Sequence, residues 1–348
     1  MQEELSRAPR PVTIVDVARE AGVSYATVSR VINNKNSILP DKRARVLAAM
    51  QRLGYVPNLQ ARKLAGGRSH VVGLVVHDVW SSYAFEILRG IDEELAAGKY
   101  DLMLYTSRQR PSTESIYVNA LSQGLADGLL LLLPSGLENY VERLREQRYP
   151  FVLIDHQGLE GGAPAVVATN YRGAYAATRY LIQLGHRRIG FITGNLSVAA
   201  ARDRLAGFRQ ALSDHSIDAD AELVQEGDFF HPRAHARAQR LLRLDPPPTA
   251  IFASNDVSAF GVMEAAREHG FEIPRDLSVI GFDDLPQSSY MHPPLTTVRQ
   301  PLEEMGRVAA RLLLATIRDP QRAPERIELP TELVVRASCA VPKEVSRR

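Results

Sequence analysis

Five side chains near the N-terminus recur at helical spacing and carry hydrogen-bonding or small apolar groups: Tyr25, Ala26, Ser29, Arg30 and Asn33. None of them is acidic, so a negatively charged partner would meet no like charge on this face. Arginine can donate two parallel hydrogen bonds to guanine, and an alanine methyl can contact the methyl group of thymine. The spacing therefore predicts a helix face that reads base edges in DNA. An ordinary helical hairpin with a solvated polar face is the alternative.

The neighbouring residues predict two short helices joined by a tight turn, which would hold that face outward. Thr13 can cap the first helix in a capping box with Asp16, and Ser24 can cap the second. Gly22 lies where the chain must leave the first helix, because glycine readily adopts positive φ. This is the pattern of a helix-turn-helix, whose second helix enters the major groove. The apolar side chains predicted to pack the helices together are Val17, Ala18, Ala21, Val28, Val31 and Ile32.

Two further helices are predicted before the chain changes character. The first covers residues 41–53 and ends at Gly54, with Val46, Leu47, Met50 and Leu53 on its inner face. After the proline of Tyr55-Val-Pro-Asn58, a short helix is predicted from Leu59 to Leu64, because Asn58 can cap it. A helix this short is marginal alone. It should form only when something supports it.

Charge is distributed unevenly along the chain. Residues 1–68 contain 12 Lys and Arg against 5 Asp and Glu, a net charge of +7. The whole chain carries +2, so residues 69–348 carry −5. This asymmetry is typical of a chain that contacts a polyanion through one local segment.

Beyond residue 70, apolar runs alternate with amphipathic stretches, which predicts two α/β subdomains whose parallel sheets are covered on both faces. The chain is predicted to cross between these lobes near residues 155–164, 283–289 and 318–326, which are rich in Gly, Pro, Asp or Ser. In such folds ligands bind between the lobes, at the carboxyl ends of the strands. The predicted strands are 71–76, 101–105, 129–133, 151–154, 188–193, 249–254, 278–281, 326–329 and 333–337.

Composition and motifs narrow the functional classes. The 348 residues suffice for two or three domains, and the single cysteine, Cys339, excludes an intrachain disulfide and fits a reducing compartment. Residues 1–11 lack the apolar core of a signal peptide, and no apolar run is long enough to cross a bilayer. We therefore expect a cytoplasmic protein without a membrane partner. Because phosphate-loop, dinucleotide and zinc-protease motifs are missing, we expect no catalytic residues, no cofactor and no metal.

Three segments resemble the lactose-repressor (LacI/GalR) family of bacterial transcription regulators, and a weaker likeness extends through almost the entire chain. The resemblance implies an N-terminal all-α, lambda-repressor-like helix-turn-helix head and a two-lobed α/β core, with parallel sheets, similar to periplasmic sugar-binding proteins. The segments are Thr13-Ile-Val-Asp-Val-Ala, Ala21-Gly-Val-Ser-Tyr-Ala-Thr-Val-Ser-Arg-Val-Ile-Asn, and Leu53-Gly-Tyr-Val-Pro-Asn58 with Ala61-Arg-Lys-Leu-Ala65.

The resemblance also implies a domain division. The head would cover residues 1–58, a hinge helix and linker residues 59–68, and the effector-binding and dimerisation core residues 69–348. Lobe 1 would comprise about 69–157 and 288–320, and lobe 2 about 158–287 and 321–340.

On DNA, the resemblance assigns base reading to Tyr25, Ala26 and Arg30. Ala61 and Leu64 would enter the minor groove, where an apolar wedge kinks the duplex at a cost of roughly a few kcal/mol. Leu64 could otherwise be a buried linker residue. A head this small gains affinity by reading two half-sites, which favours a homodimer. The implied phosphate contacts are Thr13, Ser24, Thr27, Ser29, Asn33, Tyr55 and Asn58.

Within the core, the segment Asn255-Asp-Val-Ser-Ala-Phe-Gly261 is similar to the family's effector-contact motif. We assign helix capping to Asn255 and ligand binding to Asp256. Arg204 matches the family arginine that points into the cleft, whereas Arg202 is expected on the surface. Gly281-Phe-Asp-Asp284 is similar to a motif at a lobe crossing and is interpreted as structural.

Tyr83, Asp155 and Phe229 complete the expected effector contacts, and each is equally compatible with a packing role. Aromatic rings can cover the apolar face of a sugar or a base. The expected function is a sequence-specific regulator of transcription, acting as a repressor on double-stranded operator DNA. A small-molecule effector, a sugar or sugar derivative before a purine, would control its affinity. The alternatives are a solute-binding protein or a sugar-acting α/β enzyme.

Overall fold

The computed structural model describes residues 12–32, 38–55, 68–107, 110–134, 136–156 and 162–343. The chain forms two compact units, Met1–Ser69 and His70–Arg348. No helix within the described ranges is both long enough and apolar enough to span a membrane.

The N-terminal unit contains the helices α1 (Ile14–Ala21), α2 (Tyr25–Ile32) and α3 (Pro40–Leu53). The predicted capping box is confirmed, because the Thr13 hydroxyl accepts from the Asp16 amide while the Asp16 carboxylate accepts from the Thr13 amide at 2.9 Å. Gly22 ends α1 in the left-handed conformation, with φ of 61°. The Ser24 hydroxyl then accepts from the Thr27 amide at 3.3 Å, as a cap of α2 should.

The apolar faces of these helices meet in a small core of Val17, Ala18, Val28, Val31 and Val46 with their neighbours. The expectation that Leu47 belongs to this core is wrong, because its side chain is 50% exposed. Each residue of an α-helix is rotated by about 100° from the one before. With Val46, Ala49 and Met50 turned inward, Leu47 falls outside the buried stripe.

The core unit is built on two six-stranded sheets. The first has the strand order β11-β5-β4-β3-β1-β2, all parallel, and the second β12-β10-β9-β8-β6-β7, parallel except for β12. The strands are β1 (Val71–Val76), β2 (Asp101–Thr106), β3 (Gly128–Leu132), β4 (Phe151–Ile154), β5 (Ala165–Ala168), β6 (Ile189–Ile192), β7 (Val224–Gln225), β8 (Ala250–Ala253), β9 (Ser278–Asp283), β10 (Thr296–Arg299), β11 (Arg326–Leu329) and β12 (Glu332–Val334).

Helices cover both faces of these sheets, because successive side chains of a strand point to opposite faces and those of the central strands are apolar. In β8, Ile251 and Ala253 pack under α9 and α10, whereas Ala250 and Phe252 pack under α7 and α8 on the opposite face. The helices of the core are α4 (Ser82–Ala97), α5 (Pro111–Ala120), α6 (Val141–Glu146), α7 (Asn170–Gln183), α8 (Ala199–Asp214), α9 (His231–Leu242), α10 (Asp256–Glu268) and α11 (Leu302–Arg318).

The predicted lobe crossings are wrong by about one strand each. Because β5 and β11 belong to the first sheet and β10 to the second, the chain crosses after residues 168, 299 and 329. The lobe ranges shift accordingly. The strands β4 and β5, which flank the predicted crossing at 155–164, pair with each other in the first sheet. β5 is only four residues long and β10 reads Thr-Thr-Val-Arg, so neither stands out as an apolar run. At two crossings the hydroxyls of Thr169 and Thr331 lie 2.8 Å apart.

Two glycines let α4 and α11 approach closely on the first sheet. A Cβ atom at Gly306 would collide with the Ile87 carbonyl, and one at Gly90 with the Glu303 carbonyl. Both obstacles are backbone atoms that cannot rotate away.

Gly306→Ala should therefore destabilise the protein by about 1–3 kcal/mol, the usual cost of overpacking a core. Chemical denaturation followed by circular dichroism measures this loss. Gly98→Ala is the matched control, since the nearest obstacle there is the flexible end of Leu314, 2.8 Å away. Equal stability of the two variants would contradict the close helix contact.

Candidate functional site

The exposed face of α2 carries the predicted base-reading side chains. Tyr25 is 52% exposed, and Ala26 and Arg30 are exposed as well, while Val28 and Val31 fix the opposite face in the core. Within the described residues Arg30 has no hydrogen bond or ion pair, so its guanidinium is available to a partner.

The predicted phosphate contacts divide into three groups. Ser24 and Thr27 lie together at the start of α2, with their hydroxyls 3.0 Å apart, and Ser29 is partly buried on the same helix. The Thr13 hydroxyl donates to Asp16 at 2.6 Å, and Tyr55 packs partly buried against the head core. The third group, Asn33 and Asn58, lies outside the described residues, as do the predicted minor-groove residues Ala61 and Leu64, so their roles stay predictions.

Arg45 supports the turn between α1 and α2, a role that sequence reasoning missed. Its guanidinium donates to the carbonyls of Ala21 at 2.6 Å and Gly22 at 3.1 Å. The contact joins residues 24 positions apart, and no local motif in the sequence marks it. A basic residue that would otherwise suggest phosphate binding thus holds the turn that positions α2.

In the core unit, side chains from both sheets converge where parallel strands end. We call this region the inter-sheet cleft and define it by Tyr83, Asp155, Arg204, Phe229, Asn255, Asp283 and Gln300. The Tyr83 hydroxyl donates to Asp155 at 2.8 Å, and Arg204 lies 3.7 Å from the Asp283 carboxylate. Burial raises the pKa of Tyr83 well above its usual value, and Asp155 and Asp283 reinforce the shift while Arg204 opposes it. Groups of the two sheets therefore act on one another across the cleft.

Arg204 is held in a fixed orientation. Its side chain is only 3% exposed, and it donates to the Asn170 side-chain oxygen at 2.9 Å and to the Ser254 carbonyl at 2.5 Å. The guanidinium carbon lies 3.8 Å from the ring centre of Phe282 and 5.8 Å from that of Phe229. The expectation that Arg204 points inward agrees with this arrangement. Arg202 is exposed, as expected.

The Phe229 ring forms the aromatic wall of the inter-sheet cleft, and Asn255 binds the backbone of Phe229. The Phe229 ring packs on Gly194, where no Cβ could be accommodated, and its backbone has φ of 73°. The Asn255 amide donates to the Phe229 carbonyl at 3.1 Å, while its oxygen caps α10 by accepting from the Ser258 amide at 2.9 Å. The capping role expected of Asn255 is confirmed. The next residue, Phe230, which could supply an aromatic ring in place of Phe229, is 46% exposed.

The expected ligand role of Asp256 is contradicted by its contacts. The side chain is fully buried, and one carboxylate oxygen accepts from the Leu285 amide at 2.8 Å and the Ser288 hydroxyl at 2.6 Å. The other oxygen accepts from the Thr297 hydroxyl, and a Cβ at Gly281 would collide with it. Asp256 thus ties α10 to the loop after β9 and to β10, which is a structural role.

Asp283, interpreted from the sequence as structural, lies in the cleft instead. Gln300 was missed altogether, although its side-chain amide donates to Asp283 at 2.7 Å. The Gln300 side-chain oxygen is buried without a hydrogen-bond partner in the part of the chain that the structure describes. Neighbouring Asp284 serves the lobe crossing, binding Arg299 at 2.7 Å and Arg336 at 2.6 Å.

A cavity of about 480 Å³ borders Asp283 and Gln300 of the inter-sheet cleft but not Phe229. Its lining includes Asp284, Arg299, Glu303 and Arg336, and excludes Tyr83, Asp155, Arg204 and Phe229. The arginines of this lining are paired with carboxylates. The polar groups of the inter-sheet cleft therefore make the better candidate ligand site, because several converge on one point from both sheets.

Comparisons with known proteins match both units. Residues 13–58 match the model of bacterial regulatory proteins of the lacI family, and residues 178–339 match a periplasmic binding protein-like domain. The chain is 35% identical to the HTH-type transcriptional regulator DegA of Bacillus subtilis (strain 168), over 94% of this chain and 97% of that protein.

Two solved structures have the same fold. A complex of the transcriptional regulator CelR with cellobiose is 34% identical, with a TM-score of 0.73 over 94% of this chain and 100% of that chain. The lac repressor dimer bound to operator and the anti-inducer ONPF is 29% identical, with a TM-score of 0.83 over 95% and 100%. The predicted fold class, a helical head followed by an α/β core with parallel sheets, is confirmed.

The buried aspartates should make the free energy of unfolding fall as the pH rises above the ordinary pKa of an aspartate. Burial raises the pKa of Asp283, reinforced by Asp256 and Asp155, and burial also raises that of Asp256 against its three hydrogen bonds. A raised pKa means that the folded state binds more protons than the unfolded one, in which an aspartate titrates near about 3.9. The stabilising protonation is complete below that value and is lost as pH rises through the raised folded-state pKa.

Unfolding free energies should therefore decline from pH 7 to about 8, the raised pKa of Asp283, by at most about 1.4 kcal/mol per pH unit for each proton, and should level off above it. The buried histidines His156 and His186 have lowered pKa values caused by burial and act only below this window. Asp283→Asn should flatten the decline, whereas Asp218→Asn on the exposed surface should leave it unchanged. An unchanged slope in Asp283→Asn would contradict the raised pKa.

Proposed function

This chain belongs to the lacI family of bacterial regulatory proteins, and we propose that it represses transcription by binding operator DNA under the control of a small molecule held in the inter-sheet cleft. It is a DNA-binding transcription regulator, as its relatives are. The observation that carries the proposal is the pairing of an outward, acid-free face on α2 with a closed cleft of convergent polar groups. Its relatives are regulators, and we propose no enzymatic activity. Its proposed location is the cytoplasm, where bacterial DNA is accessible.

On DNA, α2 is proposed to lie in the major groove. Tyr25, Ala26 and Arg30 would contact base edges, because they are exposed near one another on the outer face of the helix. The hydroxyls of Thr13, Ser24, Thr27, Ser29 and Tyr55 would contact phosphates, which fix the position of the head without reading sequence.

The effector is proposed to be a sugar or sugar derivative. Support comes from the structure of CelR with cellobiose and from the acceptor groups of the cleft. The proposed contacts are Tyr83, Asp155, Arg204 and Phe229, with Asn255, Asp283 and Gln300 in place of Asp256. Carboxylates accept hydrogen bonds from sugar hydroxyls, and the Phe229 ring offers an apolar surface to the sugar ring.

Control of DNA binding would follow from the closure of the two sheets around the effector. Gln287, in the loop after β9, donates to the Ser82 hydroxyl at the start of α4 at 2.8 Å, so this contact links the lobes directly. An effector can shift such an equilibrium only by binding the open and closed forms with different affinity. The proposal is that effector and operator favour different lobe arrangements.

A homodimer is proposed, as in the lac repressor structure bound to operator. The start of α4 and the loop beside it expose large apolar side chains, with Trp80 89%, Phe85 56% and Tyr290 75% exposed. The contact between Gln287 and Ser82 brings the Tyr290 loop next to α4. Contiguous exposed aromatic surface is characteristic of protein interfaces.

Arg30→Ala should weaken binding to an operator selected from random DNA by about 1–3 kcal/mol and should flatten sequence preference. Arg30→Lys is the matched control, because it keeps the charge and loses the two-pronged donor geometry. Fluorescence anisotropy with the operator and with random duplex measures both effects. Equal weakening on both DNAs in Arg30→Ala, rescued by Arg30→Lys, would make Arg30 a phosphate contact.

Replacing both Trp80 and Phe85 by serine should shift the protein toward monomer, because buried aromatic anchors dominate interface energetics. Sedimentation velocity over a concentration series measures the shift. Val335→Ser is the control, since Val335 is also apolar and 53% exposed but follows β12 in the second sheet and does not belong to the start of α4. An unchanged dimer in the double variant would move the interface elsewhere.

A further inference from the structure

Acidic side chains outnumber basic ones around the inter-sheet cleft. The side chains of Asp155, Asp256 and Asp283 are 8%, 0% and 3% exposed. Asp155 and Asp256 both act electrostatically on the Asp283 carboxyl group. Among the described residues, the cation buried with them is Arg204. Burying another anion beside this surplus would be costly, because charges taken out of water must be compensated by opposite charge.

Arg204 has little capacity left for an anionic ligand. Two of its donor groups are used by Asn170 and Ser254, and its charge is shared with Asp283. One face of the guanidinium lies against the ring of Phe282. A phosphate is usually held by a forked pair of hydrogen bonds from arginine, and such a pair would require breaking these internal contacts.

The other usual anion site, a helix N-terminus, is also occupied. The first turn of α10 points toward the cleft through Asn255, but the Asn255 oxygen already accepts from the Ser258 amide. Asp256, whose carboxyl group already accepts three hydrogen bonds, occupies the first position of that helix. Nearby Arg299 and Arg336 are committed to Asp284.

What the cleft does offer is hydrogen-bond acceptors. Asp155 and Asp283 present carboxylate oxygens, and the Gln300 side-chain oxygen lacks a partner within the described ranges. These groups favour a ligand rich in hydroxyl donors. An unpaired buried acceptor destabilises the fold, and a ligand that donates a hydrogen bond to it would remove that penalty.

We infer that the inter-sheet cleft selects an effector without negative charge, an unphosphorylated sugar, and rejects the sugar phosphates, nucleotides and hydroxy acids of similar size. This inference rests on the proposed function, which left the charge of the effector open. Selection by charge therefore decides between a free nutrient and its phosphorylated product.

The test is a thermal-shift and calorimetric screen of the full-length protein with matched pairs. Each pair contains a neutral compound and its phosphate: glucose and glucose 6-phosphate, ribose and ribose 5-phosphate, inosine and inosine monophosphate. A neutral sugar should raise the melting temperature by mass action, and its phosphate should bind about 100-fold more weakly because like charges would be buried together.

Each outcome bears on a separate claim. A phosphate that binds as tightly as its neutral partner, or more tightly, overturns the inference while leaving the proposed effector site intact. Binding of inosine without its monophosphate supports charge selection and overturns the sugar assignment. A broad panel of sugars, nucleosides and their phosphates in which nothing binds overturns the proposed effector function itself.

Charge variants test the cause of the selection. Asp155→Asn removes one carboxylate at the edge of the cleft and should narrow the gap between the neutral sugar and its phosphate by about tenfold. Asp283→Asn, measured at pH 9, above the raised pKa of Asp283 of about 8, should act in the same direction and serves if the first variant does not fold. Asp218→Asn, on the exposed surface, should leave the gap unchanged. An unchanged gap in both cleft variants would show that shape, not charge, excludes phosphates.

Discussion

A charge that is buried away from water must find its partners inside the fold, and the core of this protein meets that constraint at Arg204. The arginine lies between the ends of strands of the second sheet, held by Asn170, Ser254 and Asp283. Tyr83 and Asp155 approach from the first sheet and share its electrostatic field. Because unpaired charge is so costly in the interior, these groups fix both the closed position of the sheets and the polarity of the cleft.

Asp256 supports the inter-sheet cleft indirectly, by joining the segments around it. Its carboxylate gathers the Leu285 amide and the hydroxyls of Ser288 and Thr297, so three segments that meet at the lobe crossing move together. One of those segments contains Gln287, which contacts the opposite lobe. A change at the strand ends therefore has a physical route to the position of the first sheet, as effector control of DNA binding requires.

In the N-terminal head, a few specific contacts hold α2 in place. Its small core is closed by a capping box, a left-handed glycine and the Arg45 contact to the turn, which leave the outer face of α2 open. Positive charge is concentrated in residues 1–68 and negative charge in residues 69–348, so DNA is attracted to one unit and repelled by the other. Recognition and regulation are thereby assigned to separate units of one chain.

The sequence by itself determined the elements whose signals are local. Thr13, Gly22 and Ser24 mark helix ends within a few residues of their partners, and the apolar runs at Val71–Val76 and Phe151–Ile154 coincide with the strands. Family resemblance added the head's fold and the inward Arg204. β5 and β10 consist of small or polar residues, which do not mark a buried strand in the sequence, so the lobe crossings were misplaced.

Only the tertiary structure decided which carboxyl groups lie in the inter-sheet cleft. Asp256 and Asp283 look alike in the sequence, each following a buried strand. The partners that bury Asp256 come from residues 29 to 41 positions away, and Gln300 reaches Asp283 across 17 positions. Such contacts depend on which strands lie side by side, and strand order is set by packing of the whole core, which no local pattern encodes.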